Sequence, residues 1–204
     1  MSVRPIIDAG PALNFLAINK ERLLIKTVGP ISTPETVAEE VFRKSRSDSR
    51  FGAVEKVWAK IPPKFLQILS DDITPALNAA VIRISELPMA ERKTKAKDLG
   101  EVMVVAHAVV AAETGHDVTV IIDDQAGARV ATAEKQRLDR LREAGKPVGS
   151  IALVNTVTIL QRAAGGEYLP DKGAMRAVYT RLRGCDDGLQ PIERTPLLSA
   201  AMWR

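Results

Sequence analysis

The chain has few aromatic residues, almost no cysteine and no long apolar run. Phe, Trp and Tyr make up only 4% of its 204 residues, so the core must be built from Ala, Val, Ile and Leu. The single cysteine, Cys185, excludes an internal disulfide framework and any multi-cysteine metal centre, which suits a reducing compartment. The longest apolar stretch, residues 102–112, falls short of transmembrane length and is interrupted by His107. Residues 1–4 lead straight into a short apolar run ending at Asp8, without the form of a secretory signal. A phosphate-cradling glycine loop is also missing, since Gly165-Gly166 reads as a helix stop. These absences predict a soluble, cytoplasmic protein with no membrane association.

The length suits a single domain of residues 1–204, with a core over about 3–145 and a helical extension over about 150–204. The net charge of +4 is uneven. Residues 125–204 hold 13 Lys and Arg against 8 Asp and Glu, whereas residues 1–124 hold 16 against 17. A basic second half is compatible with a polyanionic partner, although charged helix faces are more often simply solvated.

Along the chain, short β-type runs alternate with helical patterns. Residues 3–8 read as a strand closed by Ala9-Gly10-Pro11, with a helix over 12–17. Residues 30–34 read as a second strand, with Thr33 as helix cap and Pro34 as first helical residue. The following helix, from Glu35 to about Lys44, puts Glu39 and Glu40 about 100° apart, so one can face a site while the other is solvated. Residues 45–52 read as loop, 51–60 as a short helix and 65–70 as a strand. Asp71 or Asp72 would cap a helix reaching Ser85. Residues 99–114 have a long helical apolar pattern stopped by Gly115. Val118-Thr119-Val120-Ile121-Ile122, β-branched throughout, is the strongest strand and ends in Asp123-Asp124. Helices are expected over Gln125–Glu143, 150–164 and 171–184. This alternation predicts an α/β fold with a mainly parallel sheet, whose ligands bind at the carboxyl ends of the strands.

Both acidic strand ends, Asp8 and Asp123-Asp124, fall on that edge, where Glu40 and Glu101 could join them. Carboxylates gathered without a cation repel one another and favour protonation. A hard divalent ion, Mg²⁺ or Mn²⁺, relieves this and takes oxygen ligands, so phosphodiester hydrolysis is the chemistry suggested.

The segments Ile6-Ile7-Asp8-Ala9-Gly10-Pro11, Ser32-Thr33-Pro34-Glu35-Thr36-Val37-Ala38-Glu39-Glu40-Val41, Leu99-Gly100-Glu101 and Val120-Ile121-Ile122-Asp123-Asp124-Gln125-Ala126-Gly127-Ala128-Arg129 together resemble the PIN-domain family of ribonucleases. The order and approximate spacing match from residue 6 to about 131, and the later helices are similar to those of one PIN subgroup. It implies a PIN-like three-layer sandwich and a metal-dependent endoribonuclease, often the VapC-like toxin of a toxin–antitoxin pair. Asp8, Glu40 and Glu101 match the first three family acids, and the fourth falls on Asp123 or Asp124. RNA as substrate, a small antitoxin protein and a homodimer are the partners expected. Residues 45–85 look longer than in compact members.

Each acid also has a plainer reading. Asp8 suits a turn or cap, Glu40 a solvated helix face, Glu101 a first-turn carboxylate and Asp123-Asp124 a cap. His107 reads as a packed core residue, His116 as exposed loop and Cys185 as an unreactive thiol. A receiver domain would need a lysine closing a strand, and a haloacid-dehalogenase-like phosphatase would need Asp-x-Asp after the first strand. The chain has neither. A PIN-like RNA- or protein-binding module without catalysis remains the alternative. Phosphate contacts are expected from Arg43, Lys44 and Arg46, or from the basic helix end at 137–146.

Overall fold

A computed structural model describes residues 3–203. Strand β1 (Ile6–Ile7) leads into α1 (Ala9–Ala17) and α2 (Glu21–Val28). Strand β2 (Ile31–Pro34) runs directly into α3 (Glu35–Ser47), followed by a 3₁₀ turn at Ser49–Phe51 and by α4 (Val54–Trp58). Strand β3 (Leu66–Leu69), α5 (Pro75–Ser85), α6 (Met89–Arg92) and α7 (Leu99–Glu113) come next. The remaining elements are β4 (Val118–Ile121), α8 (Gln125–Glu143), β5 (Ile151–Val154), α9 (Thr156–Ala163), α10 (Lys172–Cys185) and a tail of 3₁₀ turns.

The strands form one parallel sheet in the order β3-β2-β1-β4-β5, flanked by helices. Ile6 pairs with Ser32 on one side and Val120 on the other, so the short β1 is the centre of the sheet. Both of its residues are buried, as expected where helices cover both faces of a parallel sheet. Helix α7 is apolar all round because it lies between α3, α5 and α8 and against β4. Its residues Met103 to Val109 are buried except for His107, which is only partly so.

Several local expectations give way to tertiary contacts. The helix expected over 150–164 is strand β5 followed by α9, with Asn155 between them capping α9 through Thr158 N–H at 2.8 Å. The fifth strand therefore lies inside the stretch read as a helical extension. Residues 45–52 are mostly helical: α3 runs on to Ser47 before the 3₁₀ turn. Thr33 does not cap α3; its hydroxyl donates to the Ile7 carbonyl at 3.0 Å, fastening β2 to β1. Helix α5 is capped by Thr74 rather than by Asp71 or Asp72. Helix α2, with Leu23 and Leu24 buried, has no counterpart in the sequence reading.

The strand order places β2 and β3 on one side of β1, with β4 and β5 on the other. Successive connections thus diverge at the β1–β4 boundary and open a crevice above the carboxyl ends of those strands. Among the described residues no helix is long and apolar enough to cross a membrane.

Candidate active site

The crevice is a cleft of about 970 Å³ whose lining includes all five expected acids, Asp8, Glu40, Glu101, Asp123 and Asp124. Asp8 leaves β1 and donates its N–H to the Ile121 carbonyl at 3.0 Å, which sets it level with the end of β4. Its side chain makes no well-formed cap hydrogen bond to α1, although the Ala9 and Gly10 N–H groups at the start of that helix favour its charged form. Of the neighbouring pair on α3, Glu40 is the one lining the cleft, and Glu39 is exposed.

Gly100 explains how α7 approaches these acids. A Cβ there would stand 2.9 Å from Glu40 Oε2 and 3.7 Å from Asp8 Oδ1. Only a residue without a side chain leaves that space open between them. Asp98, at φ +55°, turns the chain through the left-handed region just before the helix. That conformation costs an ordinary residue about 1 kcal/mol. Arg92 is buried and bonds to the carbonyls of Lys95 and Lys97, which fixes the approach to this turn.

The electrostatics follow from burial and crowding. Burial pushes the Asp8 carboxyl up to about 6; the Ala9 N–H opposes this, Glu40 adds to it and Lys44 offsets part. Glu101 is pushed up to about 7, first by burial and then by the charges of Asp124, Asp8, Asp98 and Glu40. Asp123 is also raised by burial, against the bonds from Thr156 and with Asp186 adding repulsion. Lys44 Nζ sits 2.8 Å from Glu40 Oε1, and its charge is the one that offsets Asp8.

The two adjacent aspartates do different things. Asp124 Oδ1 accepts from Ala126 N–H at 2.6 Å and Gly127 N–H at 3.0 Å, capping α8. Asp123 binds α9 instead, accepting from Thr156 N–H at 2.7 Å and from its hydroxyl at 2.6 Å. Both face the cleft while holding a helix start, so the plain capping reading and the site reading coexist at this strand end.

All these donors are carboxylate oxygens, which suit a hard cation. Among the described residues, however, no three His, Cys, Asp or Glu side chains stand close enough to hold one ion as placed. The convergence is pairwise, with Asp8 and Glu40 meeting beside Gly100.

The basic groups divide sharply. Arg43 and Lys44 line the cleft, but Arg46 is paired with Glu55 at 2.5 Å. At the far end of α8, Arg137 is held by Glu113 at 2.6 Å and Glu134 at 2.8 Å, and Arg142 by Asp139. His107 is not a plain core residue: its Nε2 lies 2.8 Å from Asp71 Oδ1. Asp71 Oδ2 also accepts from the Thr36 N–H at 2.7 Å and hydroxyl at 2.6 Å, bracing the start of α3. His116 is exposed, as expected.

Asn14, Asp186 and Arg194 were not singled out by the sequence reading. Asn14 is buried on α1 and donates to Asp186 Oδ2 at 2.7 Å, while its amide also favours the charged form of Asp123. No local signal marks this contact, because 172 positions separate the two residues. Comparison with family models, curated proteins and solved structures found no match.

Proposed function

We propose that the chain is a metal-dependent endoribonuclease of PIN type, the toxin of a type II toxin–antitoxin pair. The observation that carries this reading is the meeting of Asp8 and Glu40 beside Gly100 at the sheet's switch point, with Glu101 lining the same cleft and the Asp8 and Glu101 carboxyls held well above their ordinary range. Such a floor is short of positive charge. Asp8 and Glu40 would supply two oxygen ligands to Mg²⁺ or Mn²⁺, with water and substrate phosphate completing the shell, and the ion would lower the pKa of a water and stabilise charge on a phosphoryl oxygen. Glu101, pushed up to about 7, is the carboxyl best matched to accept a proton from an attacking water at neutral pH. Arg43, exposed on the cleft rim, is placed for a backbone phosphate.

The competing reading is a PIN-like RNA- or protein-binding module without catalysis. The Lys44–Glu40 ion pair favours it, because an ammonium already holds a carboxylate that a metal would need. The deciding experiment incubates end-labelled single-stranded RNA with purified protein in Mg²⁺ or Mn²⁺ and in EDTA. Internal cleavage in metal alone is expected, and cleavage persisting in EDTA would overturn the mechanism.

The toxin assignment predicts growth arrest on expression and co-purification with a small protein. The apolar faces of α3, α4 and the turn between them are largely filled from within: Val37, Val41, Phe51, Val54 and Val57 are buried in the chain's own core. Phe42 and Trp58 pack edge to face at 5.0 Å.

A further inference from the structure

One stretch of the cleft wall comes from residues 186–196, the tail that follows the last helix, α10. Asp186, Gly188, Leu189, Gln190 and Arg194 line the same cleft as the acids. This tail is built as a rigid part. The Tyr179 hydroxyl donates to the Gln190 carbonyl at 2.7 Å, and Arg183 Nε donates to the Leu189 carbonyl at 3.2 Å. Leu189 and Leu197 are buried, and Trp203 Nε1 donates to the Leu197 carbonyl at 2.8 Å. Asn14 ties Asp186 to the floor of the site.

Within that wall Arg194 stands apart. It is exposed, and its guanidinium makes no ion pair or hydrogen bond among the described residues. By contrast, Lys44 is paired with Glu40 and Arg50 with Asp48 at 2.7 Å. An acidic floor repels a polyanion, so a nucleic acid entering this cleft needs cationic contacts on its rim. α3 supplies Arg43 from one segment, and the tail supplies Arg194 from another.

We propose that residues 186–196 form a pre-organised substrate wall, and that Arg194 binds a backbone phosphate of single-stranded RNA next to the acidic floor. The proposal rests on the endoribonuclease reading for the identity of the ligand. A wall already ordered in the free protein spares the ordering cost that a mobile tail would impose on binding. The contact is to phosphate, so it carries position rather than sequence.

The test measures the affinity of the full chain for a labelled single-stranded oligoribonucleotide across a salt series, in EDTA and again in Ca²⁺. Wild type is compared with Arg194→Ala, Arg194→Lys and Arg176→Ala, the last an exposed arginine on α10 outside the cleft lining. Arg194→Ala is expected to weaken binding about five- to tenfold, the size of one solvent-exposed hydrogen bond. The slope of log affinity against log salt should fall by about 0.7. Arg194→Lys should retain most of the affinity, Arg176→Ala should match wild type, and all four proteins should melt together. A DNA strand of the same sequence should show the same dependence on Arg194.

Unchanged affinity and slope in Arg194→Ala, with RNA still cleaved by wild type, overturns the wall and leaves the nuclease reading standing. Binding that depends on Arg194 without cleavage in any metal supports the wall and removes the catalysis. Wild type that binds no RNA overturns both.

Discussion

At the residue scale, Asp8 carries the clearest energetic signature. Its carboxyl is raised from 3.8 to about 6, so between those values the folded chain holds a proton that the unfolded chain has lost. Stability therefore falls as pH rises through that window. The shift corresponds to about 3 kcal/mol above the window. Asp8→Asn keeps the shape and loses the charge. It should flatten this part of the pH–stability curve and melt higher than wild type at pH above 6 in EDTA, while RNA cleavage disappears. Thermal denaturation across pH checks it, and a variant melting lower than wild type would make Asp8 a structural anion. Glu101 adds a second dependence. A cation bound by Asp8 and lying near Glu101 disfavours the protons held up to about 6 on Asp8 and about 7 on Glu101, so Mn²⁺ affinity should climb steeply across that interval. Calorimetric titration at several pH values would reveal a flat profile if these groups do not face the ion.

At the element scale, the start of α7 is the sensitive joint. A methyl at position 100 meets the far end of the Glu40 side chain at 2.9 Å, and that end can swing away. Gly100→Ala should therefore fold with a melting temperature close to wild type, yet lose most metal-dependent cleavage. A fully active Gly100→Ala would separate Glu40 from the chemistry. The start of α3 is held differently. Burial opposes the charge on Asp71, but the bonds from His107 and Thr36 outweigh it and hold the carboxyl below its ordinary value. This contribution is present above the unfolded pKa and fades as pH falls through the lowered one. Asp71→Ala strands three donors in a buried place and should cost about 2–4 kcal/mol by chemical denaturation. A loss below the usual surface effect would show that water replaces the brace.

How far these elements could be read from the sequence follows from how local their causes are. Helix α8 was legible to the residue because its cap, Asp124, and its apolar spacing lie within it. Strand β4 was legible from its β-branched run. Ile151–Val154 was not, since four apolar or small residues running into a helix carry no period of their own, and only pairing with β4 makes them a strand. Thr33 was misread for the same reason: its hydroxyl serves the neighbouring strand, not its own helix. At the site, Asp8, Glu40 and Glu101 were legible as acids at a strand end and on helices near the sheet edge. Asn14 and Asp186 were not, because nothing local joins residues so far apart in the chain.

At the scale of the whole molecule, the order β3-β2-β1-β4-β5 decides where chemistry can occur. It opens the sheet's carboxyl edge between β1 and β4, and both acidic strand ends fall there. The tail, tied to that edge through Asn14, makes it a walled cleft. The central claim is that the floor of this cleft is a cation site formed by carboxylates from separate elements. Titration of Mn²⁺ into wild type, Asp8→Asn and Arg176→Ala, read by paramagnetic resonance, tests it most directly. The account predicts bound Mn²⁺ in wild type and Arg176→Ala and its loss in Asp8→Asn. Equal Mn²⁺ binding by all three proteins, or none by wild type, would contradict it.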